Sequence, residues 1–147
     1  MLEAGFKVAH TAFTKQTFEL SDVISDAPCF SDFEQLDHLY PDSKFIYLQR
    51  DLAKWLPSMQ RLLTKMADDL KPKTGKFSPV LKRAFKEKFD IGHDDLLTDQ
   101  HLTQCYTDHE NHVDHYFENR DNLLKIDISH ADSYQQLCEF LNLPYQD

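Results

Sequence analysis

Glycine is scarce. The 147 residues hold only Gly5, Gly75 and Gly92, no two of them neighbours. That excludes a G-x-G-x-x-G dinucleotide turn and a G-x-x-x-x-G-K phosphate loop within these residues, because both need closely spaced glycines to bring backbone amides against a phosphate. Cysteine is equally rare. Cys29, Cys105 and Cys138 are widely separated, odd in number and without a C-x-x-C pair, so neither a disulfide framework nor a zinc ribbon is indicated. A reducing cytoplasm is the expected compartment. Apolar runs span only a few residues, short of the ~20 that a membrane-crossing helix needs. Met1-Leu2-Glu3-Ala4-Gly5 lacks the basic-then-apolar order of an export signal. Cations are outnumbered, 16 against 25 acids, and the net charge of −9 argues against general nucleic-acid binding.

What is present is one domain's worth of chain, residues 1–147, with 41% apolar residues, enough to bury a core. Its charge is segregated. Residues 44–88 carry 12 of the 16 cations and only Asp51, Asp68, Asp69 and Glu87, a net of +8, which leaves −17 on the remainder. The middle third can therefore offer a local anion site on an acidic protein, or simply a solvated basic surface.

Hydrophobic spacing predicts the order β-α-α-β-α-α-α-β-α. Phe6 to His10 reads as a strand and Thr14 to Ile24 as a helix. Ser31-x-x-Glu34 reads as a capping box for a helix that Pro41 ends. Lys44-Phe45-Ile46-Tyr47-Leu48-Gln49 is the strongest strand, nearly continuous in apolar and aromatic residues as buried parallel strands are. Trp55, Met59, Leu62-Leu63, Met66 and Leu70 mark one helix face, and Pro57 places that helix start near Leu56. Residues 71–79 are a loop and Val80 to Phe89 a short basic helix. Thr98 caps a long helix with Leu102, Cys105, Tyr106, His109 and Val113 inward. Leu123 to Ile128 is a strand. A last helix follows with Asp132 and Gln135 as its capping box, and Asn142 and Pro144 end it. Strands separated by helices imply an α/β fold, a three-layer, mostly parallel sheet flanked by helices.

Ligands of open parallel sheets bind beyond the carboxyl ends of the strands. The strongest strand ends at Arg50, whose guanidinium suits a phosphate. Ser58, eight residues on, is expected in the first turn of the next helix, where its hydroxyl and backbone N–H groups face the same anion. The competing reading is an Arg50–Asp51 surface pair with Ser58 facing solvent.

The run Tyr40-Pro-Asp-Ser-Lys-Phe-Ile-Tyr-Leu-Gln-Arg50-Asp51-Leu-Ala-Lys-Trp55-Leu-Pro-Ser58 resembles the 3′-phosphate-binding strand and helix of sulfotransferases that use 3′-phosphoadenosine 5′-phosphosulfate (PAPS). Further similarity lies in Gly5-Phe6-Lys7-Val8-Ala9-His10, in the turn Asp26-Ala27-Pro28, in Tyr106-x-x-His109-x-x-x-Val113, in Arg120-x-x-Leu123-Leu124-x-Ile126-Asp127, and in Leu137 to Pro144. The resemblance implies a P-loop NTPase-like fold, with Arg50 and Ser58 on the 3′-phosphate of PAPS or of its product 3′,5′-adenosine diphosphate. It also implies transfer of a sulfuryl group to a hydroxyl or amine of a small-molecule or glycan acceptor, without a metal. Positioning and electrostatics would then do most of the catalysis.

The family's glycine-, Arg-, Thr- and Ser-rich 5′-phosphosulfate loop is missing from the pattern. By the resemblance it belongs before residue 1, with the first, central strand of the sheet, and Leu2-Glu3-Ala4-Gly5 resembles the end of the helix that follows it. Either the chain is a shortened version of a longer protein, or it is a remnant that keeps the fold as a non-catalytic anion-binding, nucleotide-binding or protein-interaction domain. A sheet without its central strand has open edges, so homo-oligomers or partner pairing are expected.

His10 and Asp26 are the candidate bases, both expected after the early strand. The alternative makes His10 a partly buried structural side chain and Asp26 a turn cap. Eight histidines raise a metal reading. His109, His112 and His115 are spaced so that only neighbouring pairs share a helix face, and a site needs ligands from a second element. His109 is expected in the core with its hydrogen bond satisfied.

Overall fold

Two pairs of parallel strands carry the architecture, which is α/β with helices flanking small sheets. In a computed structural model, residue 1 and residues 4–145 are described. The elements are β1 (Val8–His10), α1 (Lys15–Leu20), β2 (Val23–Ser25), α2 (Cys29–Leu39), β3 (Phe45–Leu48), α3 (Leu52–Met66), α4 (Pro79–Phe89), α5 (Asp99–Tyr116), β4 (Leu123–Ile126) and α6 (Ser133–Leu141). β1 pairs with β2 and β3 with β4, both in parallel, in two separate sheets among the described residues. Of the helix end expected at residues 2–5, Leu2 and Glu3 lie outside the described residues, while Ala4 and Gly5 form a turn.

Several local expectations are corrected. The helix expected over Thr14 to Ile24 stops at Leu20, and Val23-Ile24 instead form β2 against Val8-Ala9. Lys7 starts that ladder, its N–H donating to the Asp22 carboxylate at 2.8 Å and its carbonyl accepting from Val23 at 3.1 Å. β-branched residues suit the ladder better than a helix end.

The Ser31–Glu34 capping box does not form. α2 starts at Cys29, and the Ser31 hydroxyl donates to Pro28 O at 3.0 Å and to Asp32 at 2.7 Å. The second capping box is also absent: Asp132 accepts from the Gln136 side chain, and Gln135 donates to Glu139. α6 does end at Asn142 as expected, in the left-handed region at φ 55°, which asparagine tolerates.

α3 begins at Leu52 rather than near Leu56, because the Asp51 carboxylate caps it by accepting from the Lys54 N–H at 3.1 Å. Pro57 therefore sits inside the helix and deprives the Ala53 carbonyl of its usual donor. The helix persists through it because Trp55, Leu56, Met59, Leu63 and Met66 pack on one cluster with Leu70 and Phe85 of the next segment and Leu102 of α5. Leu63 and Leu102 are fully buried, a burial of roughly 2 kcal/mol each. A second cluster joins Phe33 of α2 to Val113 and Phe117, with Phe45, Tyr47 and Leu123 of the β3–β4 sheet against it.

The long strand is not the enveloped one its composition suggests. No residue of β3 is fully buried, and Leu48 at its end is 61% exposed. One glycine is sterically required: a Cβ on Gly75 would lie 2.2 Å from Asp69 O, so the loop after α3 closes only with glycine there.

Candidate functional site

The β3–α3 junction is held from both sides. The Gln49 N–H donates to Ile126 O at 2.8 Å, carrying the ladder one residue past β3. From α5, the Tyr106 hydroxyl donates to Arg50 O at 2.9 Å, and its ring meets Trp55 of α3 edge-on at 5.0 Å. One turn further, Glu110 accepts from the Gln49 side chain at 3.0 Å and from Lys125 of β4 at 3.1 Å. Lys125 also reaches Asp114 at 2.8 Å. The Arg50 backbone and the Gln49 side chain are thereby tied to one helix. Tyr106, expected only as core, has this second role.

Arg50 and Ser58 come together: Arg50 Nη1 lies 3.4 Å from Ser58 Oγ, in position to donate. The Arg50–Asp51 pair does not form, since Asp51 is spent on capping α3. Ser58 lies in the second turn of α3, not the first, so its backbone N–H is within the helix ladder and only its hydroxyl is free to meet an anion.

Both line an open depression of about 400 Å³ with Trp55, Met59, Arg61, Leu62 and Lys65. Its polar wall is cationic and no carboxylate lines it. Arg83 and Arg120 show the contrast, for each is paired with an aspartate, Asp32 and Asp37 respectively. Among the described residues neither Arg50 nor Arg61 has a carboxylate within ion-pair distance. Arg61 and Lys65 escaped sequence reasoning. Their spacing of three and seven from Ser58 was the available signal, but it was diluted among the other cations of residues 44–88.

The second constellation is at the tips of β1 and β2. His10 Nε2 lies 3.5 Å from Asp26 Oδ2, and its Nδ1 lies 3.2 Å from Ser25 Oγ. Both candidate bases are thus adjacent, with a hydroxyl the sequence did not single out. Asp26 reaches His10 from a left-handed turn at φ 68°, a conformation aspartate tolerates. His10 is mostly exposed, its side chain 76% accessible, rather than partly buried. The imidazole thus lies between a hydroxyl and a carboxylate, which bias the orientation of its ring.

The three histidines of α5 do separate things. His112 pairs with Glu34, and His115 lies 3.9 Å from Glu118. His109 lies between the Phe33 and Tyr47 rings with its Nδ1 buried and without a hydrogen-bond partner, against the expectation of a satisfied core histidine. Burial, then the charges of Lys88 and His112, lowers its pKa to about 4, so it is neutral at pH 7. The thiol of Cys29 is pushed up to about 11 by burial first and then by Asp26, which makes it a poor nucleophile.

No described helix is long and apolar enough to cross a membrane. A family model described as a sulfotransferase domain matches residues 2–147. No curated protein matches the chain significantly.

Proposed function

The chain belongs to the sulfotransferase domain family, and from that membership we propose that it transfers a sulfuryl group from PAPS to a hydroxyl or amine of a small-molecule or glycan acceptor. The observation that carries the reading is the Arg50–Ser58 pair, a guanidinium 3.4 Å from a hydroxyl with no carboxylate to neutralise it. A guanidinium fork and a hydroxyl donor match a phosphate monoester, and they fit the 3′-phosphate that distinguishes this donor.

PAPS, when bound, supplies the sulfuryl group. The chain's own residues bind and orient around it. Arg50 and Ser58 anchor the 3′-phosphate, and Tyr106 and Glu110 hold the strand tip that presents Arg50. In transfer the acceptor oxygen or nitrogen forms a bond to sulfur while the bond from sulfur to the nucleotide's phosphate oxygen breaks. The acceptor's proton passes to His10 Nδ1, from which the rotatable Ser25 hydroxyl turns away, while Asp26 faces Nε2. Within this reading β1–β2 and β3–β4 are two parts of one three-layer, P-loop NTPase-like architecture.

A second reading has its own support. The isolated glycines leave no phosphate-cradling loop in the sequence, which favours a non-catalytic domain that binds an anion or a protein partner. Titration with 3′,5′-adenosine diphosphate tests the first reading through the melting temperature. Stabilisation that disappears in Arg50→Ala supports the nucleotide site. Weak stabilisation that persists in Arg50→Ala favours the second reading, as does nucleotide binding with no turnover of PAPS.

A further inference from the structure

We infer that Arg61 and Lys65 are ligands of the same anion as Arg50 and Ser58, which makes the depression a three-cation site selective for a doubly charged phosphate monoester over a singly charged sulfate ester or carboxylate. The inference deepens the nucleotide reading and rests on it only for the identity of the phosphate's carrier.

Ser58, Arg61 and Lys65 stand at i, i+3 and i+7 on α3, which puts them on one stripe of the helix. Side chains of a helix lean toward its N-terminus. The guanidinium of Arg61 and the ammonium of Lys65 are therefore carried back toward Ser58, where Arg50 arrives from the strand tip. All three cations line the one concavity. The chain's other two arginines are neutralised at short range. Arg83 meets Asp32, Arg120 meets Asp37, and Lys125 meets Glu110 and Asp114. Arg50, Arg61 and Lys65 have no such acid among the described residues, although the protein carries 25 acids and a net charge of −9.

Three neighbouring cations left unpaired on an acidic protein repel one another until an anion arrives. A monoanion neutralises one of them, and a phosphate dianion two. Trp55, Met59 and Leu62 form the apolar remainder of the depression, a surface on which the body carrying the phosphate can rest. The volume of about 400 Å³ lies within the ~300–1,000 Å³ of small-molecule sites, so the phosphate can be borne on a larger body.

Calorimetric titrations with phenyl phosphate, phenyl sulfate and 3′,5′-adenosine diphosphate test this at low salt. The first two differ in charge while sharing shape. At pH 8 the intact chain is expected to bind phenyl phosphate at least tenfold more tightly than phenyl sulfate. Arg61→Ala and Lys65→Ala are each expected to weaken phenyl phosphate about tenfold and to narrow that ratio, while Arg61→Lys and Lys65→Arg largely retain it. Preference for phosphate should fall at pH 5, below the second ionisation near ~6 of a phosphate monoester. Both positions are exposed and without partners, so alanine is compatible with the helix, and circular dichroism verifies folding.

Equal binding of phosphate and sulfate, wild-type affinity in both alanine variants, or no binding of phenyl phosphate overturns the inference. If phenyl phosphate behaves as described and 3′,5′-adenosine diphosphate does not bind, the inference stands and the nucleotide reading falls. If the nucleotide binds through Arg50 with Arg61 and Lys65 silent, the nucleotide reading stands and the inference falls.

Discussion

Tyr106 donates its hydroxyl to the backbone carbonyl of Arg50 at 2.9 Å, across 56 residues of sequence. The contact fixes the backbone that presents the guanidinium, and the edge-on packing of Tyr106 against Trp55 fixes the tyrosine in turn. Tyr106→Phe keeps the ring and removes the bond. It is expected to cost about 1 kcal/mol of stability and to weaken 3′,5′-adenosine diphosphate severalfold, read by chemical denaturation and by calorimetry. An undiminished nucleotide affinity alongside the stability loss would limit Tyr106 to a structural role.

His109 makes stability depend on pH. Its folded-state pKa is lowered from 6.5 to about 4 by burial, so the unfolded chain binds its proton more readily. The contribution is present in full above pH 6.5 and is lost as pH falls from there toward about 4. The span corresponds to a loss on the order of 3 kcal/mol. His109→Leu removes both the titration and the unpaired Nδ1. Urea unfolding at pH 7 and pH 5 should show a smaller drop for the variant than for the wild type; equal drops would exclude His109 as the cause.

Asp37 ties α2 to the end of α5. It accepts from the Tyr116 hydroxyl at 2.8 Å, from Arg120 at 2.6 Å and from the Asn122 side chain at 3.1 Å. Its carboxyl pKa is lowered: burial opposes the shift, but the hydrogen bonds from Tyr116 and Arg120 outweigh it. Asp37→Ala leaves three donors without their acceptor and is expected to cost about 2 kcal/mol. A melting temperature within one degree of wild type would show that the cluster is replaceable by water.

Self-association is the expected consequence of the open strands. The two sheets have two strands each among the described residues, and Leu48 at the end of β3 is 61% exposed. Such edges and apolar ends favour pairing with another chain. Size-exclusion chromatography with light scattering should give a mass that rises with concentration, and Leu48→Lys should lower it. A monomer at every concentration would refute the expectation.

The Arg50–Ser58 pairing was legible because its residues are close in sequence. An apolar strand, an arginine at its end and a serine eight residues on left a paired site and a solvent-facing serine both open, the resemblance favoured the pair, and the structure brings the two side chains together. The helix between them was read less well. Pro57 signalled a start near Leu56, because proline suits a first turn, yet packing of Trp55 and Leu63 and the Asp51 cap carry the helix through it. The β2 strand was missed for a related reason. Val23 and Ile24 continue a helical spacing as easily as they form a strand, and only the Lys7 and Val8 backbone waiting alongside decides between them.

By itself the sequence determined the α/β class, the segregated charge, the absence of a glycine-rich phosphate loop, and the Arg50–Ser58 and His10–Asp26 candidates. The first three follow from local spacing and composition; the site candidates rest also on the family resemblance. The tertiary structure alone decided which cations stay unpaired and what holds them. Arg83 has Asp32 brought beside it from α2 while Arg61 and Lys65 have no such acid among the described residues, and Tyr106 reaches Arg50 only because α5 packs on α3. Charge neutralisation and hydrogen bonding across such distances depend on the meeting of elements remote in sequence, which no periodicity within either element encodes.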